Sequence, residues 1–478
     1  MDPETMPSAA KSGTSASRSI VGRLSRNIVF LMVDSVTVNV ASFATLLVVA
    51  RSYPPAIVGQ LAVLISIMAV GTLLGDLGNG QASTLLISRH LAGLGGGRPG
   101  RIAASGLLQA VVGGILMATV VFFFPELVRH LAERFGHADR AREISDLSDM
   151  IRLVALWVLL AVFLQQTAGI FAGFQKMQYS LVQDVSTHVP RLAICLVVAL
   201  SALSWRWFIW GWTGWYLAAA SVGAGLLAVV LRRAGQSFSL AGYEPLRRLR
   251  TGAVLFTPLA AAFILYYLAN AVIWWWDPHG SGYRSVGLFA PLWSLTRGYE
   301  VLLMPLAVAL LPAVSDAHGT RDPRVLESLV RRTLMVTGLA AMGMFLLFVT
   351  VPRLLLGLFG PEYQVLAFPL GILAFGMAFE TQRCALDPIL NGSGLARWVT
   401  AMDWAKFVLL LVLAVPLYRA HYLTGISLAF VGAFIPAWIG KLMLIRFRLK
   451  IRVLGHAAMV GLLLAAVFAA NLFLHRIL

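Results

Sequence analysis

The chain consists of long apolar runs separated by short polar segments. A helix needs about 20 apolar residues to cross a bilayer, and thirteen runs in the 478-residue sequence approach that length. The predicted spans are 28–50, 57–78, 102–124, 151–174, 187–204, 207–231, 253–276, 285–311, 333–351, 364–386, 398–418, 423–445 and 453–474. The pattern predicts an all-α polytopic membrane protein whose short loops leave no room for a soluble catalytic domain.

The composition agrees with this pattern and argues against several classes of enzyme. Hydrophobic residues make up 59% of the chain and charged residues 12%, whereas a soluble protein carries about 25% charged residues. Cys195 and Cys384 lie inside apolar stretches, so we predict neither a disulfide nor a metal cluster. The sequence contains no HExxH, CxxC or Walker-type GxxxxGK motif. We therefore expect no catalytic residue, no metal and no cofactor, and a protein that is not an enzyme.

Basic residues exceed acidic ones, 38 against 21, and they concentrate in alternate loops. Cytoplasmic loops collect Lys and Arg, so the alternation predicts a cytoplasmic N-terminus and, with an odd number of spans, an external C-terminus. The basic surplus then reflects topology. This argues against a nucleic-acid partner and favours contact with anionic membrane phospholipids.

The longest external segment, residues 125–150, mixes acidic residues with arginines. We interpret it as an amphipathic surface helix on the outer face. The functional alternative is a lid or an element that contacts a polymer.

An internal repeat divides the spans into two halves. An offset of 228 residues pairs span 2 with span 8, and an offset of 219 pairs spans 4 and 5 with spans 10 and 11. The first offset matches Val58, Gly59, Ala62, Leu64, Ser66, Leu74 and His90 with Val286, Gly287, Ala290, Leu292, Ser294, Leu302 and His318. Two six-helix lobes related by an axis along the membrane normal would produce this order. The predicted domains are a disordered cytoplasmic tail (1–22), an N-terminal lobe (23–231), a basic cytoplasmic linker (232–252), a C-terminal lobe (253–445) and an additional C-terminal helix (446–478).

Arg297 is the charged residue placed deepest within a predicted span. A charge at the centre of a span costs about 2.5 to 3.5 kcal/mol on insertion scales, so such residues usually face a cavity or a partner. Arg297 shares a helical stripe with Trp293 and Glu300. The structural alternative is an ion pair between Arg297 and Glu300 on one helix. A hydrated cavity or a phosphate would satisfy more of the guanidinium donors.

Further charged residues cluster toward the predicted inner-leaflet ends of the spans. Glu380 with Arg383 and Asp403 with Lys406 are pairs three residues apart. The other members are Asp34, Asp76, Arg89, Asp184, His188, Arg191 and Lys441. As a group they indicate a polar vestibule open to the cytoplasm. For any single member, a structural interhelical pair or a snorkelling side chain is an equally good explanation.

Asp34 lies in the first span, with Ser35, Asn39 and Ser42 nearby. A carboxyl group in a low-dielectric site can hold a proton, which would suit ion coupling. A hydrogen-bonded contact between helices is the alternative.

Several short stretches resemble the polysaccharide-transporter branch of the multidrug/oligosaccharidyl-lipid/polysaccharide (MOP) flippase superfamily. They are Ala50-Arg51 followed by Pro55 and Gly59, then Gly75-Asp76-Leu77-Gly78-Asn79-Gly80-Gln81, Phe359-Gly360-Pro361-Glu362-Tyr363 and Leu390-Asn391-Gly392-Ser393-Gly394. The resemblance covers residues 25–450 and implies two six-helix bundles around a central cavity. Members often have twelve or fourteen spans, so the thirteen predicted here depart from that pattern.

The resemblance also implies a function. It implies export of an undecaprenyl-pyrophosphate-linked oligosaccharide from the inner to the outer leaflet of a bacterial inner membrane, by alternating access, for surface polysaccharide synthesis. The expected partners are this lipid-linked oligosaccharide, membrane phospholipids, and a glycan polymerase or other export machinery. Under this hypothesis Arg297 contacts the pyrophosphate, and the cytoplasmic approach is formed by Arg89, Arg191, Arg383 and Lys406. Coupling or charge-partner roles fall to Asp34, Asp184, Glu300, Glu380 and Asp403.

Three other interpretations of the function remain open. A cation-coupled multidrug exporter of the same superfamily would share the fold and use Asp34 as its ion site. A membrane-embedded glycan polymerase or ligase would need a large outer loop with acid and base groups, and the longest outer loop here is short. A passive scaffold for glycan assembly would tolerate neutral substitution of Arg297.

Overall fold

The computed structural model describes residues 10–91, 98–240, 245–277, 282–299 and 323–451, with isolated positions between 303 and 318 and between 461 and 469. These described residues form helices joined by short turns, with no strand among them. Nine helices of this described part are long and apolar enough to cross a membrane. The protein is therefore a multi-pass α-helical membrane protein.

Seven helices precede residue 240. They are α1 (Ala10–Ser52), α2 (Pro55–Asp76), α3 (Asn79–Leu91), α4 (Pro99–Arg134), α5 (Ala138–Gly173), α6 (Met177–Leu200) and α7 (Arg206–Arg233). Helix α1 begins at Ala10, within the segment for which the sequence predicts a disordered tail. Ala10, Lys11, Ala16 and Arg18 in this segment have high helix propensity, and the helix continues into the apolar span that follows.

The described residues of the second half form seven further helices and one 3₁₀ segment. These elements are α8 (Pro245–Trp276), α9 (Gly282–Thr296), α10 (Pro323–Thr350), α11 (Pro352–Gly357), the 3₁₀ segment Pro361–Leu366, α12 (Ala367–Thr381), α13 (Arg383–Gly392) and α14 (Ala396–Arg448). Helix α14 contains two predicted spans, separated by non-helical backbone at His421 and Tyr422. Predicted span 453–474 lies largely outside the described residues.

The two helices that enclose residues 125–150 differ from the sequence prediction. Helices α4 and α5 continue through this charged segment and meet at a tight turn, where Gly136 has a φ of 76°. Glycine takes this left-handed conformation without a steric penalty. The ion pair between Arg152 and Glu126 joins the two helical extensions. The segment is a helical hairpin, and the separate surface helix expected from its charge pattern is wrong.

The contact between α2 and α9 reproduces the repeat seen in the sequence. A Cβ atom added to Gly59 would lie 1.7 Å from the carbonyl oxygen of Tyr283, and one added to Gly287 would lie 1.7 Å from that of Pro55. Gly59 and Gly287 are 228 residues apart, as are Pro55 and Tyr283. The two halves therefore contact each other across a local twofold axis, and only glycine permits this backbone approach.

Helix α8 bridges the two halves. Near its start, Arg248 is buried and donates hydrogen bonds to Asn79 Oδ1 (2.7 Å), the Ile102 carbonyl (2.7 Å) and Ser105 Oγ (3.0 Å). Its other end packs against α9 and α14. Arg248 lies within the predicted basic cytoplasmic linker (232–252), but the guanidinium of Arg248 is buried and therefore unavailable to lipid head groups.

Candidate functional site

The two lobes are closed at the end of the molecule where α2 and α9 begin. Besides the glycine contact, Arg140 of α5 donates to the Asp277 carbonyl (3.2 Å). Trp274 Nε1 donates to the Glu143 carboxylate (2.8 Å), and Tyr283 OH donates to the Glu143 carbonyl (3.0 Å). These bonds join the N-terminal lobe to α8 and α9. We refer to this region as the closed end.

The break in α14 is part of the closed end. Ser285 Oγ donates to Asp277 Oδ2 (3.0 Å), and Tyr418 OH donates to Asp277 Oδ1 (3.3 Å). Ser285 also shares a hydrogen bond with the hydroxyl of Tyr422, whose φ is 52°. A positive φ at a bulky residue is energetically unfavourable. The side chain of Tyr422 thus fixes the α14 break to the closed end.

Arg297 lies immediately after the last residue of α9. Helix α9 ends at Thr296, inside the span predicted over 285–311, and helical backbone resumes at Gly298, so within the described residues 282–299 the helical path is interrupted at Arg297 alone. Thr296 Oγ1 donates to the carbonyls of Leu292 (3.1 Å) and Trp293 (3.0 Å), and such bonds bend helices. The Arg297 side chain is exposed. Glu300, its expected partner, lies outside the described residues.

An aromatic stack fixes the part of α9 that precedes Arg297. The rings of Trp293 and Tyr266 are parallel and 4.8 Å apart, and Phe430 lies 5.0 Å from Trp293. The stack joins α9 to α8 and α14. Arg297 lies one helical turn after Trp293 and donates its backbone N–H to the Trp293 carbonyl (3.0 Å). Arg297 is therefore an exposed cation beside α8, next to a rigid aromatic support.

The other basic candidates of the N-terminal lobe differ in their environment. Arg89 is exposed in the last turn of α3. Arg191 is partly buried: it donates to Ser42 Oγ (3.0 Å) and lies over the Trp212 ring, with 5.4 Å between Cζ and the ring centroid. Arg89 is thus accessible to an anion, whereas Arg191 links α1, α6 and α7.

The basic candidates of the C-terminal lobe belong to an ion network. Lys406 Nζ donates to Glu380 Oε1 (2.7 Å), and Arg383 Nε lies 2.8 Å from the same oxygen. Lys441 Nζ contacts Asp387 Oδ1 (2.6 Å) and Asp403 Oδ1 (2.9 Å). Residues from α12, α13 and both arms of α14 take part.

This C-terminal network is formally neutral, with three carboxylates and three cations. Lys406 is 1% exposed and Lys441 is 3% exposed, so both ammonium groups lie inside the lobe. Only Arg383 retains appreciable exposure, 27% of its side chain. The structure therefore does not bring Lys406 to a surface where it could contact a substrate.

Asp34 and Asp184 meet between α1 and α6. The two carboxyl groups are close enough to interact electrostatically. Two carboxylates that share one site repel each other, so this arrangement favours the binding of a proton by one of them. His188 and Arg191 lie on the same helix as Asp184, one and two turns further along. The pair is a candidate proton-binding site that the sequence indicated only through its separate members.

Some residues of the candidate site could not be recognised from the sequence because their importance depends on tertiary contacts. Asp387, Arg140 and Asp277 lie near span ends and read as ordinary surface charges in the sequence. For Asp387 a signal existed, because it lies four residues after Arg383 and an ion pair at this spacing is common on helices. Among the described residues, no cluster of His, Cys, Asp and Glu could hold a metal ion.

Comparisons with known proteins agree with the helical architecture. The family model for polysaccharide biosynthesis proteins matches residues 24–318, and the MatE family model matches residues 258–415. A search of curated proteins finds no match.

Solved structures of transporters superimpose on nearly the whole chain. An inward-facing multidrug resistance MATE family transporter of the MOP superfamily gives a TM-score of 0.70 at 14% identity, over 88% of this chain and 98% of that one. A MOP superfamily transporter from Pyrococcus furiosus gives 0.62 at 16% identity, over 89% and 96%. The fold and family matches define a multi-pass transporter of the MOP flippase superfamily, as the motifs suggested. Within this class, the chain belongs to the polysaccharide biosynthesis protein family, whose model covers more than half of its length.

Proposed function

We propose that the protein is a flippase that moves an undecaprenyl-pyrophosphate-linked oligosaccharide from the inner to the outer leaflet. The observation that carries this proposal is the exposed guanidinium of Arg297 at the end of α9, in a chain of the polysaccharide biosynthesis family. Guanidinium groups bind phosphate oxygens through paired, charge-assisted hydrogen bonds. Arg89 is the second proposed phosphate contact. Arg383 contributes through its exposed part, while Arg191 and Lys406 hold helices together.

The proposed reaction needs a polar route because sugar hydroxyls and phosphates lose their hydrogen bonds in hydrocarbon. Two negative charges moving outward gain about 4.6 kcal/mol per 100 mV of inside-negative potential. The membrane potential is therefore sufficient as a driving force, without ATP.

We further propose that the structure corresponds to the inward-facing state. The lobes meet at the closed end, and the positive-inside distribution supports a location of this end at the outer face of a bacterial inner membrane, with a cytoplasmic N-terminus. The TM-score of 0.70 with an inward-facing MATE transporter exceeds the 0.63 found with an outward-facing one. Substrate would then enter from the cytoplasmic side, past Arg89. A glycan polymerase or other export machinery would receive the product.

Substitution of Arg297 tests this function. We expect Arg297→Glu to reduce surface polysaccharide in a strain carrying only this copy by more than tenfold, and Arg297→Lys to retain part of it. The matched control is Arg284→Glu, because Arg284 is also exposed on α9 but lies at the closed end. Normal polysaccharide output from Arg297→Glu, at normal protein levels in the membrane, would refute the proposed role.

A cation-coupled multidrug exporter is the second candidate function. The MatE match over residues 258–415 and the MATE neighbours favour it, as does the proximity of the Asp34 and Asp184 carboxyl groups. Purified protein in vesicles separates the two candidates. Efflux of a cationic dye driven by a proton gradient, unaffected by lipid-linked oligosaccharide, would support the exporter. Flux of lipid-linked oligosaccharide without dye efflux would support the flippase.

A further inference from the structure

An apolar groove lies along the seam between the two lobes. Its volume is about 530 Å³, and its walls come from α2 and α4 on one side and α8 on the other, with the first arm of α14 contributing at the seam. Representative lining residues are Ile67, Leu74, Val120, Phe124, Ala271 and Trp275. Of its polar side chains, Asn270 donates to Ser66 Oγ (3.0 Å), which keeps this donor within the wall. The groove surface is therefore suited to hydrocarbon.

The groove has one polar end and one aromatic end. Tyr267 lines it and follows Tyr266, whose ring stacks on Trp293 with 4.8 Å between the centroids. Arg297 lies one helical turn after Trp293 and donates its backbone N–H to the Trp293 carbonyl (3.0 Å), so it lies near the end of the groove formed by Tyr267. Along α8, the lining continues from Tyr267 to Trp276 at the last turn. Ten residues of helix correspond to about 15 Å, which is about half the hydrocarbon thickness of a bilayer.

We propose that this groove holds the hydrocarbon chain of a polyprenyl phosphate-type lipid while its phosphate lies beside Arg297. This inference rests on the proposed flippase function and adds where the lipid part of the substrate lies. A lipid that enters from the inner leaflet has its chain directed toward the outer leaflet. A phosphate beside Arg297 with its chain along α8 toward Trp276 has the same direction. The head group therefore reaches Arg297 before the lipid turns over.

The groove orients the chain more than it adds affinity. Bilayer hydrocarbon is as apolar as the groove, so transfer between them gains little hydrophobic free energy. Attraction to the lipid comes mainly from the phosphate at Arg297. A groove that extends from this cation selects ligands with a long chain attached to the phosphate, and it excludes water from the chain. A compact soluble cation would use neither feature.

Photolabelling with a diazirine-bearing polyprenyl phosphate tests this inference on the purified full-length protein. We expect labelled peptides from α4 and α8. Val120→Trp fills the groove and is expected to reduce labelling at least fivefold. Ile115→Trp is the matched control, because both positions are aliphatic and similarly exposed (49% and 52%), while Ile115 lies on the opposite face of α4.

The outcomes are decisive in both directions. Equal labelling of the two tryptophan variants would overturn the groove assignment, as would equally strong labelling of α4 and α8 by diazirine-bearing phosphatidylglycerol. Absence of groove labelling together with loss of export in Arg297→Glu would remove this inference and leave the flippase function. Groove labelling together with normal export in Arg297→Glu would remove the proposed role of Arg297 in export and leave the groove as a lipid-binding site.

Discussion

Lys441 is an ammonium group held almost wholly inside the protein by two carboxylates. Its Nζ atom lies 2.6 Å from Asp387 Oδ1 and 2.9 Å from Asp403 Oδ1. Removing one member of a buried ion pair leaves an uncompensated charge and costs about 3 to 5 kcal/mol. We expect Lys441→Met to lower the midpoint of thermal unfolding of the detergent-solubilised protein markedly.

A control and a double variant separate charge from side-chain volume. Lys176→Met removes an exposed lysine and is expected to leave the midpoint unchanged. Lys441→Met leaves the network with three carboxylates and two cations. Adding Asp387→Asn restores a neutral network, so the double variant should be more stable than Lys441→Met alone. Equal midpoints for Lys441→Met and Lys176→Met would show that the network contributes nothing to stability.

The carboxyl pair formed by Asp34 and Asp184 gives a second residue-level prediction. Asp184→Asn keeps the size of the side chain and offers Asp34 an amide donor, but it removes a carboxyl group that can bind and release a proton. His188 and Arg191 of α6 stay in place. We expect the variant to fold normally and its substrate flux in vesicles to lose its response to a proton gradient while keeping its response to membrane potential. An unchanged response to the proton gradient would exclude this pair as the coupling site.

At the residue scale, sequence could identify charged pairs within one helix but not the partners from other helices. The pairs Glu380 with Arg383 and Asp403 with Lys406 are evident from their spacing. The contact of Lys441 with Asp387 depends on how α13 and α14 pack, and it has no local signal. The same reason explains why Lys406 was expected at a substrate surface although it is buried.

At the scale of elements, the α2–α9 contact controls how closely the lobes approach. Gly59→Val would place side-chain atoms against the Tyr283 carbonyl, where even a Cβ atom lies 1.7 Å away. The two backbones must then separate. We expect spin labels at Ser52→Cys and Arg284→Cys, both exposed positions at the closed end, to show a longer and broader distance distribution in Gly59→Val.

The control for this prediction is the same substitution at a helical glycine with open space. Nothing lies within 4 Å of a Cβ added to Gly343 in α10, so Gly343→Val should leave the distance unchanged. The native Cys195 and Cys384 are buried and do not compete for the label. An unaltered distance in Gly59→Val would mean that this contact does not hold the closed end together.

Sequence predicts the elements themselves well where apolar runs have clear ends. Prolines at the start of α2 and α4 and a glycine after α7 mark boundaries that the structure retains. The prediction fails where a helix continues beyond the apolar run, as in α4 and α5, and it does not foresee the interruption of the helix at Arg297. In α4 and α5 an ion pair between the helices stabilises the extensions, and in α9 a threonine bonds to the carbonyls of its own helix. Hydropathy detects neither kind of interaction.

At the scale of the whole molecule, the 228-residue repeat anticipates the symmetric contact between the lobes. It does not anticipate α8, which docks on α3 and α4 through Arg248 at one end and on α9 and α14 at the other. This helix therefore limits the movement of one lobe against the other. A sequence repeat predicts only what the two halves have in common. The contacts of a helix that bridges the halves are not repeated, so the repeat cannot predict them.

The structure is inward-facing if the closed end lies on the outer side of the membrane. Two exposed serines, one at each end of the molecule, allow the side to be measured. Ser204 lies at the closed end, because Tyr53 OH donates to the neighbouring Leu203 carbonyl (2.8 Å). Ser237 lies beside the start of α4, at the opposite end. Residues 232–250 hold Arg232, Arg233, Arg247, Arg248 and Arg250, whereas the segment around Ser204 holds Arg206 alone.

The positive-inside bias places the more basic segment in the cytoplasm. A membrane-impermeant maleimide applied to intact cells should therefore label Ser204→Cys and not Ser237→Cys, and permeabilised cells should show both. The reverse pattern would place the closed end inside. The same structure would then be outward-facing, with Arg297 accessible from the outside, and substrate would leave rather than enter through the open end.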